Sequence, residues 1–296
     1  MPDDQPVNQE KALRIALLSD THTVCNSSDP DRRLYKGRFD RAIAQVNAAN
    51  VDLVLIAGDL TNDGARDEAE DFQSQAKSLS PPVHCVPGNH DVGDKHRSEK
   101  PGEGATSKRV AQFEKRIGPN CWTIRVRPLV GSAAAHPEPT PEDVRAAVRR
   151  AGLSNVRVIG INASILGSGL PEETLQWTFL EKELQRSRTP RTLLLSHYPP
   201  FLQTPDEPGD PYWNVEPEPR ARLLALLQQP KARVVGILSG HLHRSNDVSL
   251  GNIRLVTTPP IAFGLPPGVQ PEGWTLVTIP SRGGIRTEFQ PLQPTL

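Results

Sequence analysis

Five short apolar runs in this chain each stop on side chains that can hold a metal ion. Residues 14–19 (RIALLS) end in Asp20-Thr21-His22, and residues 51–57 (VDLVLIA) end in Gly58-Asp59. Residues 83–86 (VHCV) lead into Gly88-Asn89-His90-Asp91, and residues 192–195 (TLLL) end in Ser196-His197. Residues 234–238 (VVGIL) lead into Gly240-His241-Leu242-His243. Runs this short suit buried strands rather than helices. In open α/β sheets ligands bind at the carboxyl ends of strands, so five such ends would gather Asp, Asn and His in one place. One Asp-x-His alone is an ordinary surface feature; five such endings in series are not. Five of the eight histidines lie in them.

The residue types select a chemistry. Carboxylate, amide and imidazole donors without thiolate suit Mn, Fe or Zn. The donors outnumber the four of a tetrahedral zinc site. Seven ligands make sense if one carboxylate bridges two ions about 3.5–4 Å apart, the spacing that activates water against phosphate esters. Gly58, Gly88 and Gly240 each precede a donor, where the backbone must turn off a strand without a Cβ in the way; ending the strand is an equally good reason for each.

The intervening segments read as α/β. Phe39, Ile43 and Val46 recur at helical spacing within a pattern over residues 37–50, and further helical patterns cover 65–79, 171–188 and 217–229. Strands are readable at 156–161, 253–257, 274–279 and 285–289 besides those above. The late strands follow one another without helices, which predicts mixed sheets split into two packed layers. Residues 1–11 read as a disordered tail and 12–296 as a single domain, with 95–155 an insertion over one rim of the core. Within that insertion, Thr140-Pro141 followed by Asp143 resembles a helix start.

Thirty-four basic and 34 acidic side chains balance. A net basic face for nucleic acid is not expected. No apolar run approaches the ~20 residues that span a bilayer. The polar start MPDDQPVNQEK has no apolar region of a secretory signal. Cys25, Cys85 and Cys121 form no Cys-x-x-Cys pair. Together these fit a soluble, cytoplasmic protein with cysteines as small fillers. Oligomeric state is not readable.

Asp-x-His, Gly-Asp, Gly-Asn-His-Asp, His and Gly-His-x-His, in this order over residues 20–243, resemble the calcineurin-like metallophosphoesterase superfamily. The resemblance implies a four-layer αββα sandwich, two packed mixed β-sheets with a dinuclear metal site at the strand C-terminal ends. It implies that Asp20, His22 and His243 hold one ion and that Asp59 bridges. Asn89, His197 and His241 would complete the second. His90 would bind no metal and face the substrate phosphate and leaving group, with Asp91 as its hydrogen-bonded partner. A histidine titrates near neutral pH and suits a general acid.

Departures narrow the branch. After Gly58-Asp59 the chain reads Leu-Thr-Asn-Asp-Gly, so the arginine of protein Ser/Thr phosphatases and the metal-bound tyrosine of purple acid phosphatases are both missing there. The pattern is most similar to the class III cyclic-nucleotide phosphodiesterase-like branch. That implies attack of metal-bound hydroxide on a small-molecule phosphodiester, with manganese or iron, or zinc, as the two divalent ions. A phosphomonoesterase of the same superfamily, a nuclease with a partner subunit, and a non-catalytic scaffold of this fold are the alternatives. Tyr198-Pro199-Pro200-Phe201 and Tyr212-Trp213-Asn214 form the candidate specificity segment, Trp213 foremost, either stacking a substrate or packing the loop. His84, His96 and His136 lie outside the motifs, and the acidic stretch Asp67–Asp71 reads as a solvated helix face.

Overall fold

The structure, a computed structural model, describes residues 12–25, 30–95, 103–126, 156–186, 190–210, 212–280 and 283–293. The tail at 1–11, His96, His136 and the helix start at Thr140 lie outside them.

Strands β1 (Leu13–Leu18), β2 (Leu53–Ala57), β3 (Val83–Val86), β10 (Gly273–Ile279) and β11 (Arg286–Pro291) make one sheet in the order β11-β10-β1-β2-β3. Strands β4 (Trp122–Val126), β5 (Val156–Gly160), β6 (Arg191–Leu195), β7 (Val234–Ser239), β9 (Ile253–Thr257) and β8 (Asn246–Leu250) make the other, in the order β4-β5-β6-β7-β9-β8. In each sheet the inner pairs are parallel: β1 with β2 and β2 with β3, then β5 with β6, β6 with β7 and β7 with β9. The other pairs, β1–β10, β10–β11, β4–β5 and β8–β9, are antiparallel. Both sheets are mixed.

Strand alternation explains the layering. Ile15, Leu17, Leu53 and Leu55 from the first sheet pack against Val156, Val158, Leu193 and Leu195 from the second. Their neighbours Ala16, Leu18, Val54 and Ile56 face the other way, onto helices α1 (Pro30–Ala48) and α2 (Arg66–Ala76). Ile159, Leu194 and Ile237 of the second sheet meet α5 (Pro171–Gln185) and α6 (Pro217–Leu227). These strands are apolar on both faces because both faces are covered. Helix on sheet on sheet on helix is the expected αββα sandwich. Truncating an inward residue such as Leu17 to Ala would cost about 2–5 kcal/mol.

Between 95 and 155, the described residues 103–126 supply α4 (Ser107–Arg116) and the edge strand β4. Val110 and Phe113 of α4 are buried in the layer against the first sheet. Glu68, read as part of a solvated face, is buried, and its carboxylate accepts from the Asp63 and Ala65 amides at 2.8 and 3.2 Å. It caps the start of α2. Among the described residues no helix is long and apolar enough to cross a membrane.

Candidate metal centre

All five parallel-strand endings meet at one edge of the sandwich. Asp20, His22, Asp59 and His243 bring one ligand atom each within 4.8 Å of one another, and so do Asp59, His197 and His241. Asp59 belongs to both groups. Its Oδ2 lies 3.6 Å from His22 Nε2 and 3.2 Å from His197 Nε2. In the first group, His243 Nε2 is 3.3 Å from Asp20 Oδ1 and 3.2 Å from His22 Nε2. In the second, His197 Nε2 is 3.0 Å from Asn89 Oδ1 and 3.1 Å from His241 Nδ1. All seven residues are buried.

The backbone reaches this arrangement through an uncommon conformation. Asp20, His22, Asp59, His241 and His243 have φ of 54°, 41°, 50°, 70° and 51°. Left-handed backbone at a non-glycine residue costs about 1–3 kcal/mol and survives only where its surroundings hold it. Here the loops hold each other: the Asp20 amide donates to the Gly58 carbonyl at 3.0 Å and the His22 amide to the Asp59 carbonyl at 2.9 Å. The His241 amide donates to Asp20 Oδ2 at 3.1 Å, tying the loop after β7 to the loop after β1. Gly88 and Gly240 are close-approach positions. A Cβ on Gly88 would lie 2.1 Å from Asp59 Oδ1, and one on Gly240 would lie 1.7 Å from Ser19 Oγ.

Hydrogen bonds on the far side of three of the four imidazoles set which nitrogen faces the centre. His243 Nδ1 meets the Phe263 carbonyl at 2.6 Å, His197 Nδ1 the Ala57 carbonyl at 2.7 Å, and His241 Nε2 the Tyr212 carbonyl at 2.8 Å. A carbonyl only accepts, so each of those nitrogens carries its hydrogen and the other offers a lone pair inward. The lone pairs of these three rings therefore converge with carboxylate oxygens and an amide oxygen, and Asp20 Oδ1 is buried without a hydrogen-bond partner. Such a set is satisfied by cations. In their place protons accumulate. Burial disfavours the His197 imidazolium, but Asp59 outweighs it and lifts the pKa to about 9. Burial would raise Asp20, yet His243 holds its carboxyl at about 2. Burial drives His22 down to about 3.

His90 stands at the edge of the centre, its ring 4.5 Å from that of His22 and nearly perpendicular to it. Its amide donates to Asp59 Oδ1 at 2.9 Å, and its Nδ1 meets the Asn62 carbonyl at 2.6 Å. Burial opposes its charged form, but Asp59 and the Asn62 carbonyl favour it and raise the pKa. The expected hydrogen bond from His90 to Asp91 is replaced by that Asn62 contact. Asp91 instead accepts from the Thr61 hydroxyl at 2.6 Å and from the Thr61, Leu60 and Gly88 amides at 2.9, 3.2 and 2.8 Å. The two are neighbours on the short helix α3 (Asn89–Val92), where successive side chains diverge by about 100° and do not share a face. Asp91 clasps the loop carrying Asp59 to the loop carrying Asn89. Burial and the nearby Asp59 charge push its pKa up to about 6.

A cavity of about 380 Å³ opens beside His90 and Asn89, walled by Asp94, Arg109 and Tyr212. Tyr212, rather than Trp213, is the aromatic that lines it. Their rings lie 4.7 and 5.7 Å from the His241 ring.

Two packed mixed sheets that close a cluster of buried Asp, Asn and His at one edge define a metal-binding αββα protein. Residues 13–245 match the calcineurin-like phosphoesterase family, and the chain belongs to it. It is 26% identical over 287 residues to a protein of Arcobacter nitrofigilis named "Probable glycerophosphodiester phosphodiesterase GpdQ", covering 88% of each chain. To the "3',5'-cyclic adenosine monophosphate phosphodiesterase CpdA" of Vibrio vulnificus it is 24% identical over 299 residues, covering 96% of this chain and 91% of the other. Among solved structures, "GAP50 the anchor in the inner membrane complex of Plasmodium" shares the fold with a TM-score of 0.57 at 13% identity, over 95% of this chain and 85% of the other.

Proposed function

We propose that the protein hydrolyses small phosphodiesters with two divalent cations, manganese or iron suiting its oxygen and imidazole donors best and zinc also compatible. The observation that carries this reading is Asp59 Oδ2, set within 3.6 Å of an imidazole nitrogen from each donor group. Asp20, His22 and His243 would hold one cation, Asn89, His197 and His241 the other, and Asp59 both. Bound there, the pair would lower the pKa of water and offset charge on the phosphoryl oxygens. The chain's own part is positioning and proton transfer. His90 keeps a hydrogen on Nδ1 through the Asn62 carbonyl, which leaves Nε2 to carry the proton that the departing alkoxide needs. Relatives named for diester cleavage support the substrate class. The fold alone does not, since it also occurs in a protein named as an anchor.

The test is hydrolysis by manganese-loaded protein of bis-p-nitrophenyl phosphate, p-nitrophenyl phosphate, cyclic nucleotides and glycerophosphodiesters. Diester turnover that is lost on chelation and regained with manganese is expected. Faster monoester turnover would make it a monoesterase, and two bound ions without turnover would leave a scaffold.

A further inference from the structure

The two histidines of the Gly-His-x-His ending are turned by carbonyls from stretches of chain that supply no donor. His241 Nε2 donates to the Tyr212 carbonyl at 2.8 Å, in the stretch leading into α6, and His243 Nδ1 to the Phe263 carbonyl at 2.6 Å, between β9 and β10. Where each carbonyl sits decides which ring nitrogen keeps a hydrogen and how the ring is turned. The nitrogens left facing the centre are Nδ1 of His241 and Nε2 of His243. Each carbonyl is in turn held by a cationic side chain that lies outside the donor set.

For Tyr212 that side chain is Lys95, just after α3. It is buried, and its ammonium donates to the Asp210 carbonyl at 2.7 Å and to the Asn214 carbonyl, on either side of Tyr212. Glu216 Oε1 is farther off, at 3.5 Å, so the ammonium serves the backbone more than an ion pair. Asp210 Oδ1 accepts from the Tyr212 and Trp213 amides at 2.8 and 2.9 Å, and the Asp210 amide donates to Asn214 Oδ1 at 2.9 Å, which closes the turn around the ammonium. For Phe263 the side chain is Arg38 of α1. Its Nη1 donates to the carbonyl of the preceding residue, Ala262, and its Nη2 lies 3.3 Å from Glu272 Oε1 near the start of β10. Amides of Ala262 and Leu265 tie the same loop to the Asp20 and His243 carbonyls at 2.9 and 3.0 Å.

We infer that Lys95 and Arg38 are positioning residues for the metal centre, each acting on one half: Lys95 sets the cation affinity of the Asn89–His197–His241 half and Arg38 that of the Asp20–His22–His243 half. This rests on the dinuclear reading above. Charge alone predicts the opposite sign, because a nearby positive side chain repels a metal ion and its loss would tighten binding. The probe is manganese added to the metal-free full chain, with free ion read by electron paramagnetic resonance and bound ion by elemental analysis. His197→Ala and His22→Ala backgrounds, each keeping mainly one half, identify the ion affected. In the His197→Ala background Arg38→Met should weaken the remaining ion about tenfold and Lys95→Met by less than about twofold; in the His22→Ala background the two variants should exchange effects. Tenfold is the low end of the usual loss when a group orienting a ligand is removed, since each cation here acts through a carbonyl. Asp210→Ala, at a part-exposed position, loosens the Tyr212 turn with the ammonium still in place. It should reproduce the Lys95→Met pattern and stands in for that variant if it fails to fold. Tighter binding, no loss, or equal loss in both backgrounds would overturn the inference while leaving two ions in the wild type. A wild-type protein that takes up only one ion would instead remove the dinuclear reading, and this inference with it.

Discussion

Gly88→Ala tests whether the glycine beside a donor serves the donor or merely ends a strand. The new methyl would sit 2.1 Å from Asp59 Oδ1, 2.4 Å from the Asp59 backbone nitrogen and 2.8 Å from its Cγ. The nitrogen cannot rotate away as a side chain can, so the loops after β2 and β3 must part by about 1 Å to restore ordinary contact. Overpacking of this kind costs about 1–3 kcal/mol. Parting the loops also stretches the 2.9 Å bond from the His90 amide to Asp59, and an unsatisfied buried partner costs about 1–3 kcal/mol more. At 296 residues each kcal/mol corresponds to roughly 1.6 °C in Tm, so the metal-free variant should melt roughly 3–10 °C lower. The effect on metal should be larger. Ligand distances hold within about 0.2 Å, and the displaced residue is the one shared by both donor groups, so both ions should be lost. Calorimetry and elemental analysis read the two quantities. Gly118→Ala is the control, since a Cβ there meets no atom within 4 Å, and its Tm should stay within about 1 °C of wild type. A Gly88→Ala protein that melts like wild type and keeps both ions would refute this account of the turn.

Three further outcomes follow from the centre. Asp59→Asn should lower occupancy of both ions in a manganese titration, whereas His22→Ala and His197→Ala should each weaken mainly one. His90→Ala should keep both ions and lose about 10²–10⁴ in rate on an alkyl diester, with a much smaller loss for a p-nitrophenolate leaving group that needs little protonation; metal loss would make it a ligand instead. With its pKa raised to about 9, His197 is protonated at pH 7 in the metal-free protein, and cation binding requires the neutral ring. Calorimetric titrations in buffers of different ionisation enthalpy should therefore show proton release at pH 7, and affinity that rises with pH until about 9. Since the folded pKa lies above the ordinary 6.5, the same pairing stabilises the metal-free fold fully below about pH 6.5 and fades as pH climbs through 9.

Asp20, His22, Asp59, Asn89, His197, His241 and His243 were legible in the sequence because each follows a short apolar run, and parallel strands deliver their ends to one place. The edge strands of the second sheet were not. Asn246–Leu250 carries polar residues on an exposed face, and Trp122–Val126 is half-buried at the sheet border, so neither forms an apolar run. Asp91 was misread because adjacency in sequence says nothing of side-chain direction on a turn of helix. Trp213 stood out as an aromatic in a polar stretch, yet it is Tyr212 beside it that lines the cavity and whose carbonyl meets His241 Nε2, joining the loops after β6 and β7. No local pattern encodes that.

The donors divide between the sheets. Asp20, His22, Asp59 and Asn89 follow strands of the first, while His197, His241 and His243 follow strands of the second. Cations held between them, as proposed above, would rivet one end of the seam between the two sheets. A chelator would then act on this chain as a mechanical loosener as well as an inhibitor. Hydrogen exchange should quicken first at the donor-bearing ends of β1, β2, β6 and β7, while the opposite ends of the same strands keep their protection.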